Sequence, residues 1–104
     1  MVGQDGGVTA YWINTFTAIH DEAKLARYVE LAGPAIRAAG GTFLARGNPV
    51  HVLEGRATLR TTLIRFDSAE AAVDAYHSPG YQEALAALGD GAEREIKILA
   101  GLAE

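Results

Sequence analysis

The apolar residues of this chain switch repeatedly between a spacing of two and a spacing near 3.6. That switching restricts the fold more than any motif does. Thr9 to Thr17 alternates, with Tyr11, Ile13 and Thr15 on one side and Trp12, Asn14 and Phe16 on the other. Aromatic and β-branched residues dominate it, so it reads as a strand. Asp21 then caps a helix whose stripe is Leu25, Tyr28, Val29, Ala32, Ile36 and Ala39. Gly33-Pro34 should interrupt this helix and kink it between Glu30 and Pro34, because proline removes a donor and crowds the preceding turn. Gly40-Gly41 ends it.

Thr42 to Arg46 is a second, short strand, followed by turn chemistry at Gly47-Asn48-Pro49. Val50 to Leu53 reads as a short extension or hairpin arm, stopped by Glu54-Gly55. Leu59 to Phe66 is the third strand, with Thr62, Ile64 and Phe66 sharing a face. Asp67 with Glu70 forms a weak capping box for the second helix, and Ser68 is the other possible cap. That helix breaks at Ser78-Pro79, where Ser78 caps and Pro79 takes the first position of a continuation through Tyr81, Ala84, Leu85 and Leu88. Arg94 to Leu99 alternates again, with Ile96 and Ile98 inward.

The order β-α-β-β-α-β predicts an α+β, ferredoxin-like domain, a four-stranded antiparallel sheet with its helices on one face. The other face carries apolar residues too, and a second copy is the simplest cover. We expect a lead-in over residues 1–8 and one domain over residues 9–104.

At 104 residues with 49% hydrophobic and 21% charged, the chain has the composition of one soluble domain. The net charge of −4 and the absence of a basic stripe argue against a nucleic-acid partner. No apolar run reaches the roughly 20 residues of a membrane span. Residues 1–7 show neither the positive flank nor the apolar run of a signal peptide, so the expected location is cytoplasmic. With no cysteine, thiol catalysis and thiolate metal sites are excluded.

Four segments together resemble the domain-of-unknown-function family numbered 1330, of the dimeric α/β-barrel superfamily. They are Tyr11-Trp12-Ile13, Gly40-Gly41-x-Phe43-Leu44-x-Arg46-Gly47, Val52-Leu53-Glu54-Gly55 and Tyr76-x-Ser78-Pro79-x-Tyr81-Gln82. The resemblance runs from Thr9 to about Ala100. It implies a homodimer whose two sheets face each other as a barrel. The superfamily includes cofactor-independent monooxygenases of polyketide biosynthesis, polyketide cyclases, muconolactone isomerases and haem-binding peroxidases, so fold alone does not choose a reaction. Two positions depart from the family pattern: Arg65 stands where an acidic residue is usual, and Gly80 where glutamate is common.

Polar residues at element ends are the candidates for chemistry. Arg46 offers a rigid fork of donors for a carboxylate or enolate oxygen, or else an ion pair with Glu54. Tyr76 and Tyr81 flank the Ser78-Pro79 break, which can bring both hydroxyls to one rim, or leave both rings in the core. His77 is the proton carrier if it faces a pocket, and a solvated side chain otherwise. Asn14 beside Trp12 is unusual in mid-strand, and needs a pocket or a polar dimer seam to satisfy it. Arg65, if inside the barrel, needs an acid or a ligand. His20, His51 and His77 are scattered without metal-ligand spacing. Gly89-x-Gly91 follows a helix and precedes a strand, the reverse of a dinucleotide loop.

The expectation is a small-molecule enzyme of oxygenase, cyclase or isomerase type, using no cofactor and no metal. His77, Tyr81 and Arg46 are its catalytic candidates, and Trp12, Asn14, Arg65 and Tyr76 its binding candidates. The substrate is expected to be apolar and oxygenated, aromatic or polyketide-like, held between sheet and helices. A non-catalytic ligand-binding dimer and a structural subunit are the alternatives.

Overall fold

The computed structural model describes residues 8–102; all of the expected lead-in but Val8 lies outside them, as do Ala103 and Glu104. Strand β1 (Ala10–Ile19) is the centre of the fold, antiparallel to β3 (Thr61–Phe66) on one side and to β4 (Ala92–Ala100) on the other. Strand β2 (Thr42–Gly47) pairs antiparallel with the far edge of β3, which gives the order β2-β3-β1-β4. The helices are α1 (Glu22–Ala38), α2 (Ala69–Tyr76) and α3 (Pro79–Leu88). This is the ferredoxin-like arrangement, with the second helix divided in two.

The alternation in β1 is realised residue by residue. Ala10, Trp12, Asn14 and Phe16 are buried, and Tyr11, Ile13 and Thr15 between them lie half-buried on the other face. Cross-strand pairing continues both sets. Trp12 opposes Ile64 and Ile98, and Asn14 opposes Thr62 and Ile96, on the buried face. Ile13 opposes Leu63 and Lys97 on the open face. Trp12 is the hub of the core, its ring centroid 6.0 Å from Phe66 and 5.2 Å from Tyr81 in an edge-on contact.

Helix α1 starts where Asp21 accepts a hydrogen bond from the Lys24 amide. It runs through Pro34 as one element, so Gly33-Pro34 does not interrupt it. Pro34 is exposed, so water can satisfy the carbonyl that loses its donor. Ala32 and Ile36 hold both halves on the core. The helix ends where Gly40 adopts φ 99° and the Gly41 amide returns to the Ile36 carbonyl at 2.9 Å.

Ser68, not Asp67, caps α2, accepting from the Ala71 amide at 3.0 Å. The expected break follows. The Ser78 hydroxyl donates to the Ala75 carbonyl at 2.8 Å and accepts from the Tyr81 amide at 3.3 Å, with Pro79 opening α3. Gly80 lets α3 approach α1, since a Cβ there would lie 3.1 Å from the Ala35 Cβ.

Two expectations fail between β2 and β3. Val50 to Leu53 forms no strand, and β3 begins at Thr61, not Leu59. Pro49 and Gly55, the latter at φ 94°, bound this stretch with turn-type backbone, and Val50 and Leu53 stand 90% and 93% exposed with no core to pack on. Only its end is tied down, by hydrogen bonds between Phe16 and both Leu59 and Arg60. No helix among the described residues is long and apolar enough to cross a membrane.

Candidate functional site

The helix-covered face of the sheet is mostly apolar, but it carries polar groups at three inward positions of the strand alternation. Asn14 sits in the middle of β1, Thr62 opposes it on β3, and Arg94 opposes Phe16 on β4. Arg60, two residues before Thr62, shares the phase of Thr62, Ile64 and Phe66. Among the described residues, four buried polar atoms there have no hydrogen-bond partner: Trp12 Nε1, Asn14 Oδ1, Arg60 Nε and Arg94 Nη1. A close-packed core leaves few such atoms, because each costs about 1–3 kcal/mol unless something outside the chain meets it.

The residues that carry these atoms line two spaces. The first is a groove of about 420 Å³ between α2 and β4, lined by Val73, Tyr76, His77, Arg94, Ile96 and Ile98. Three of its six lining residues are aliphatic, and Tyr76, His77 and Arg94 are the other three. Its volume falls within the range of small-molecule pockets. His77 terminates α2, and its ring meets that of Tyr76 edge-on at 5.3 Å. Tyr76 in turn lies 6.0 Å from Trp12, so the groove backs onto the core.

Arg94 is held from behind. Its guanidinium carbon sits 4.6 Å over the Tyr28 ring and 5.7 Å from that of Phe16. The hydroxyls of Tyr28 and Tyr81 lie 2.7 Å apart in the buried interior. Burial opposes the charge on Arg94, but the Tyr28 and Tyr81 oxygens outweigh it and raise its pKa. Arg94 therefore stays a cation. Burial, and then the Tyr28 neighbour, push the Tyr81 phenol far above its ordinary value, so Tyr81 stays neutral.

The second space is a narrow chamber between α1 and the β2–β3–β1 part of the sheet, of which about 30 Å³ is open to water. Asn14, Arg46, Arg60 and Thr62 supply its polar wall, and Phe43, Ile36 and Val29 part of its apolar wall. Asn14 is only 4% exposed. Arg46 lies 5.7 Å from the Phe43 ring and is exposed. The ion pairs among the described residues are His20–Glu93, Lys24–Asp90, Arg27–Glu30 and Lys97–Glu95, so Arg46 is not tied to Glu54. Burial, then the charge of Arg46, lowers the pKa of Arg60.

The seven residues singled out from sequence thus divide. Tyr76 and His77 meet in the groove; Trp12, Asn14 and Arg46 line the chamber. Tyr81 is fully buried, its hydroxyl on Tyr28 and not on a rim. Arg65 is exposed on the open face, opposite Tyr11 and Thr42, away from both spaces. Arg60, Arg94 and Tyr28 were not singled out. The signal for the two arginines was present: each is a charge on the inward phase of an otherwise apolar alternation.

The family profile described as "Domain of unknown function (DUF1330)" matches residues 9–102. No curated protein is significantly similar in sequence. Among solved structures, a protein of unknown function from Rhodopseudomonas palustris is 17% identical with a TM-score of 0.76, over 94% of this chain and 85% of that one. SnoaB, a cofactor-independent oxygenase from Streptomyces nogalater, is 13% identical with a TM-score of 0.65, over 93% of this chain and 96% of that one. A dimeric ferredoxin-like protein of unknown function from Thermobifida fusca is 15% identical with a TM-score of 0.64, over 90% of this chain and 92% of that one. At these identities the likeness is one of fold.

Proposed function

The chain belongs to the domain-of-unknown-function family 1330, and from that premise we propose that it is a cofactor-independent enzyme acting on an apolar, oxygenated small molecule. The substrate class is aromatic or polyketide-like, and the site is the groove between α2 and β4. One observation carries this reading: a permanent cation, Arg94, is built into the helix-facing side of the sheet. Its Nη1 is buried with no hydrogen-bond partner among the described residues, and Arg94 lines one groove with His77 and the aliphatic Val73, Ile96 and Ile98. The fold it shares with a cofactor-independent oxygenase supports the same class of chemistry.

Oxygenation, cyclisation and isomerisation of such substrates share a first step, removal of a proton beside a carbonyl. His77 takes that proton, and the electron pair of the broken C–H bond moves onto the carbonyl oxygen. Arg94 stabilises the resulting enolate from a fixed position. Tyr76, backed by Trp12, lies along the face of a planar substrate. Tyr81 and Tyr28 act through Arg94 as positioning residues.

The same reading has the protein work as a homodimer through the open face of its sheet. Tyr11, Ile13 and Leu63 lie at the middle of that face, and Leu99 is 51% exposed at its edge. The Thermobifida fusca neighbour is described as dimeric.

Native mass spectrometry of gently purified protein, with identification of any released small molecule, tests the reading. The expected result is a dimer carrying a reproducible extra mass that Arg94→Met loses. His77→Ala should retain that mass but turn the identified compound over about 10²–10⁴-fold more slowly. A ligand that binds but is never converted would make the protein a binding module. An empty dimer, unchanged in melting temperature by a panel of enolisable aromatic ketones and acids, would remove the proposal.

A further inference from the structure

We propose that the chamber under α1 is a second, separate binding site that takes a carboxylate between Arg46 and Arg60. Three observations converge on it. First, two guanidiniums line one small space, and neither is in an ion pair among the described residues. Unshielded like charges repel, and an anion between them removes the repulsion. Second, the chamber wall holds unpartnered buried polar groups. Arg60 Nε is a donor with no acceptor, and Asn14 is almost wholly buried with its amide oxygen unmet. A half-turn of that amide presents its NH2 instead. The Thr62 hydroxyl supplies a further donor on the same wall.

Third, the size is selective. A water needs about 10–15 Å³ of such space, so 30 Å³ admits roughly two water-sized bodies, which is the extent of a carboxylate's two oxygens. Phe43, Ile36 and Val29 close the apolar side, so a bulky headgroup does not fit without displacing α1. A planar, bidentate anion also suits a guanidinium fork better than a spherical one does. Because Arg46 is exposed, it marks the mouth. The ligand is either a free small carboxylate or the carboxylate end of a longer apolar chain entering past Arg46. The chamber shares no lining residue with the α2–β4 groove, and the two meet through Tyr28 and Phe16, which line the chamber and lie against Arg94.

The test is a nitrogen–proton NMR titration of the intact protein at fixed ionic strength, once with sodium formate and once with sodium hexanoate. The Arg60 Nε–H signal and the Asn14 and Thr62 amides are the reporters. A saturable shift of these signals is expected, weakened about tenfold or more in Arg46→Gln and in Arg60→Gln and unaltered in His77→Ala. Tighter binding of hexanoate identifies a chain-borne carboxylate; equal binding identifies a free small acid. If Arg60→Gln does not fold, Arg46→Gln, at an exposed position, still decides. No saturable shift with either salt overturns the proposal and leaves a chamber filled by water alone. So does a shift that survives Arg46→Gln, or one confined to Arg94, Ile96 and Ile98.

Discussion

The hydroxyl of Tyr28 on α1 meets the hydroxyl of Tyr81 on α3 at 2.7 Å, with the two rings edge-on at 6.0 Å. In such a pair only one proton can lie between the oxygens, so each oxygen retains a lone pair for another donor. The guanidinium of Arg94 provides that donor-rich neighbour, packed over Tyr28. Two helices and a strand are thereby locked around one cation. The serine cap at Ser78 sets where α3 begins and so where Tyr81 points.

This relationship makes alkaline stability depend on one phenol. Burial raises the pKa of Tyr81 in the folded chain. Below about pH 10 the phenol is neutral in both folded and unfolded chains, and its contribution is fully present. Above that pH the unfolded chain loses the proton while the folded chain keeps it. Stability then falls, by up to about 1.4 kcal/mol per pH unit from this group. Urea unfolding from pH 8 to pH 11 should show the loss, and Tyr81→Phe should flatten it. An equally steep decline in Tyr81→Phe would assign the effect to other groups.

Asn14 should cost stability in the empty protein. Its amide oxygen is buried without a partner, a penalty of about 1–3 kcal/mol that an aliphatic side chain does not incur. Asn14→Leu, extending into the adjacent chamber, is expected to raise the melting temperature by several degrees, at about 4–8 °C per kcal/mol for a domain of this size. It should also abolish the formate shift at Thr62. A fall in melting temperature would mean that Asn14 is held by the fold and not kept for a ligand.

The sequence disclosed the fold because its signals were local: alternation in β1, a helical stripe from Leu25 to Ala39, and Ser78-Pro79 dividing the second helix. Each rests on neighbours within a few residues, where periodicity and capping act. It disclosed less of the site. Tyr76 and Tyr81 are close in sequence, yet one lines the groove and the other is buried against a helix 53 residues away. Arg65 and Arg94 are both strand arginines, and only the phase of each strand against the sheet separates an exposed open-face charge from a half-buried one on the helix side. The stretch from Val50 to Leu53 has strand-forming residues, but a strand needs a partner edge, and in the described sheet β2-β3-β1-β4 this stretch has none.

Gly41 is required for a reason different from that of Gly40. A Cβ at Gly41 would lie 2.6 Å from Ile36 Cγ2 and 2.9 Å from Phe66 Cζ, inside the packed end of α1. Gly40 has open space but φ 99°. Gly41→Ala should therefore cost about 1–3 kcal/mol through overpacking. Gly40→Ala should cost about 1–2 kcal/mol through backbone strain alone. Pairing each with Ile36→Ala, which removes the nearest clashing atom, separates them in urea melts. The smaller side chain should relieve Gly41→Ala and leave the Gly40→Ala penalty unchanged. Equal relief of both would refute the packing account.

The open face of the sheet is the remaining determinant. Ile13 and Leu63 are directly opposed at its centre, with Tyr11 beside Arg65 two residues on. An antiparallel sheet tolerates one face in water when that face is polar. Here its middle is apolar and its rim charged, with Glu93, Glu95 and Lys97 along β4. That is the layout of an interface with an apolar core and a polar rim. A mass near twice 11.0 kDa is expected by light scattering at micromolar concentration. Leu63→Arg places a charge at the centre of both copies at once, because a two-fold interface repeats every substitution. It should shift the protein to monomer while leaving helical circular dichroism intact. A wild-type monomer would remove the barrel, and a Leu63→Arg dimer would move the interface to another surface.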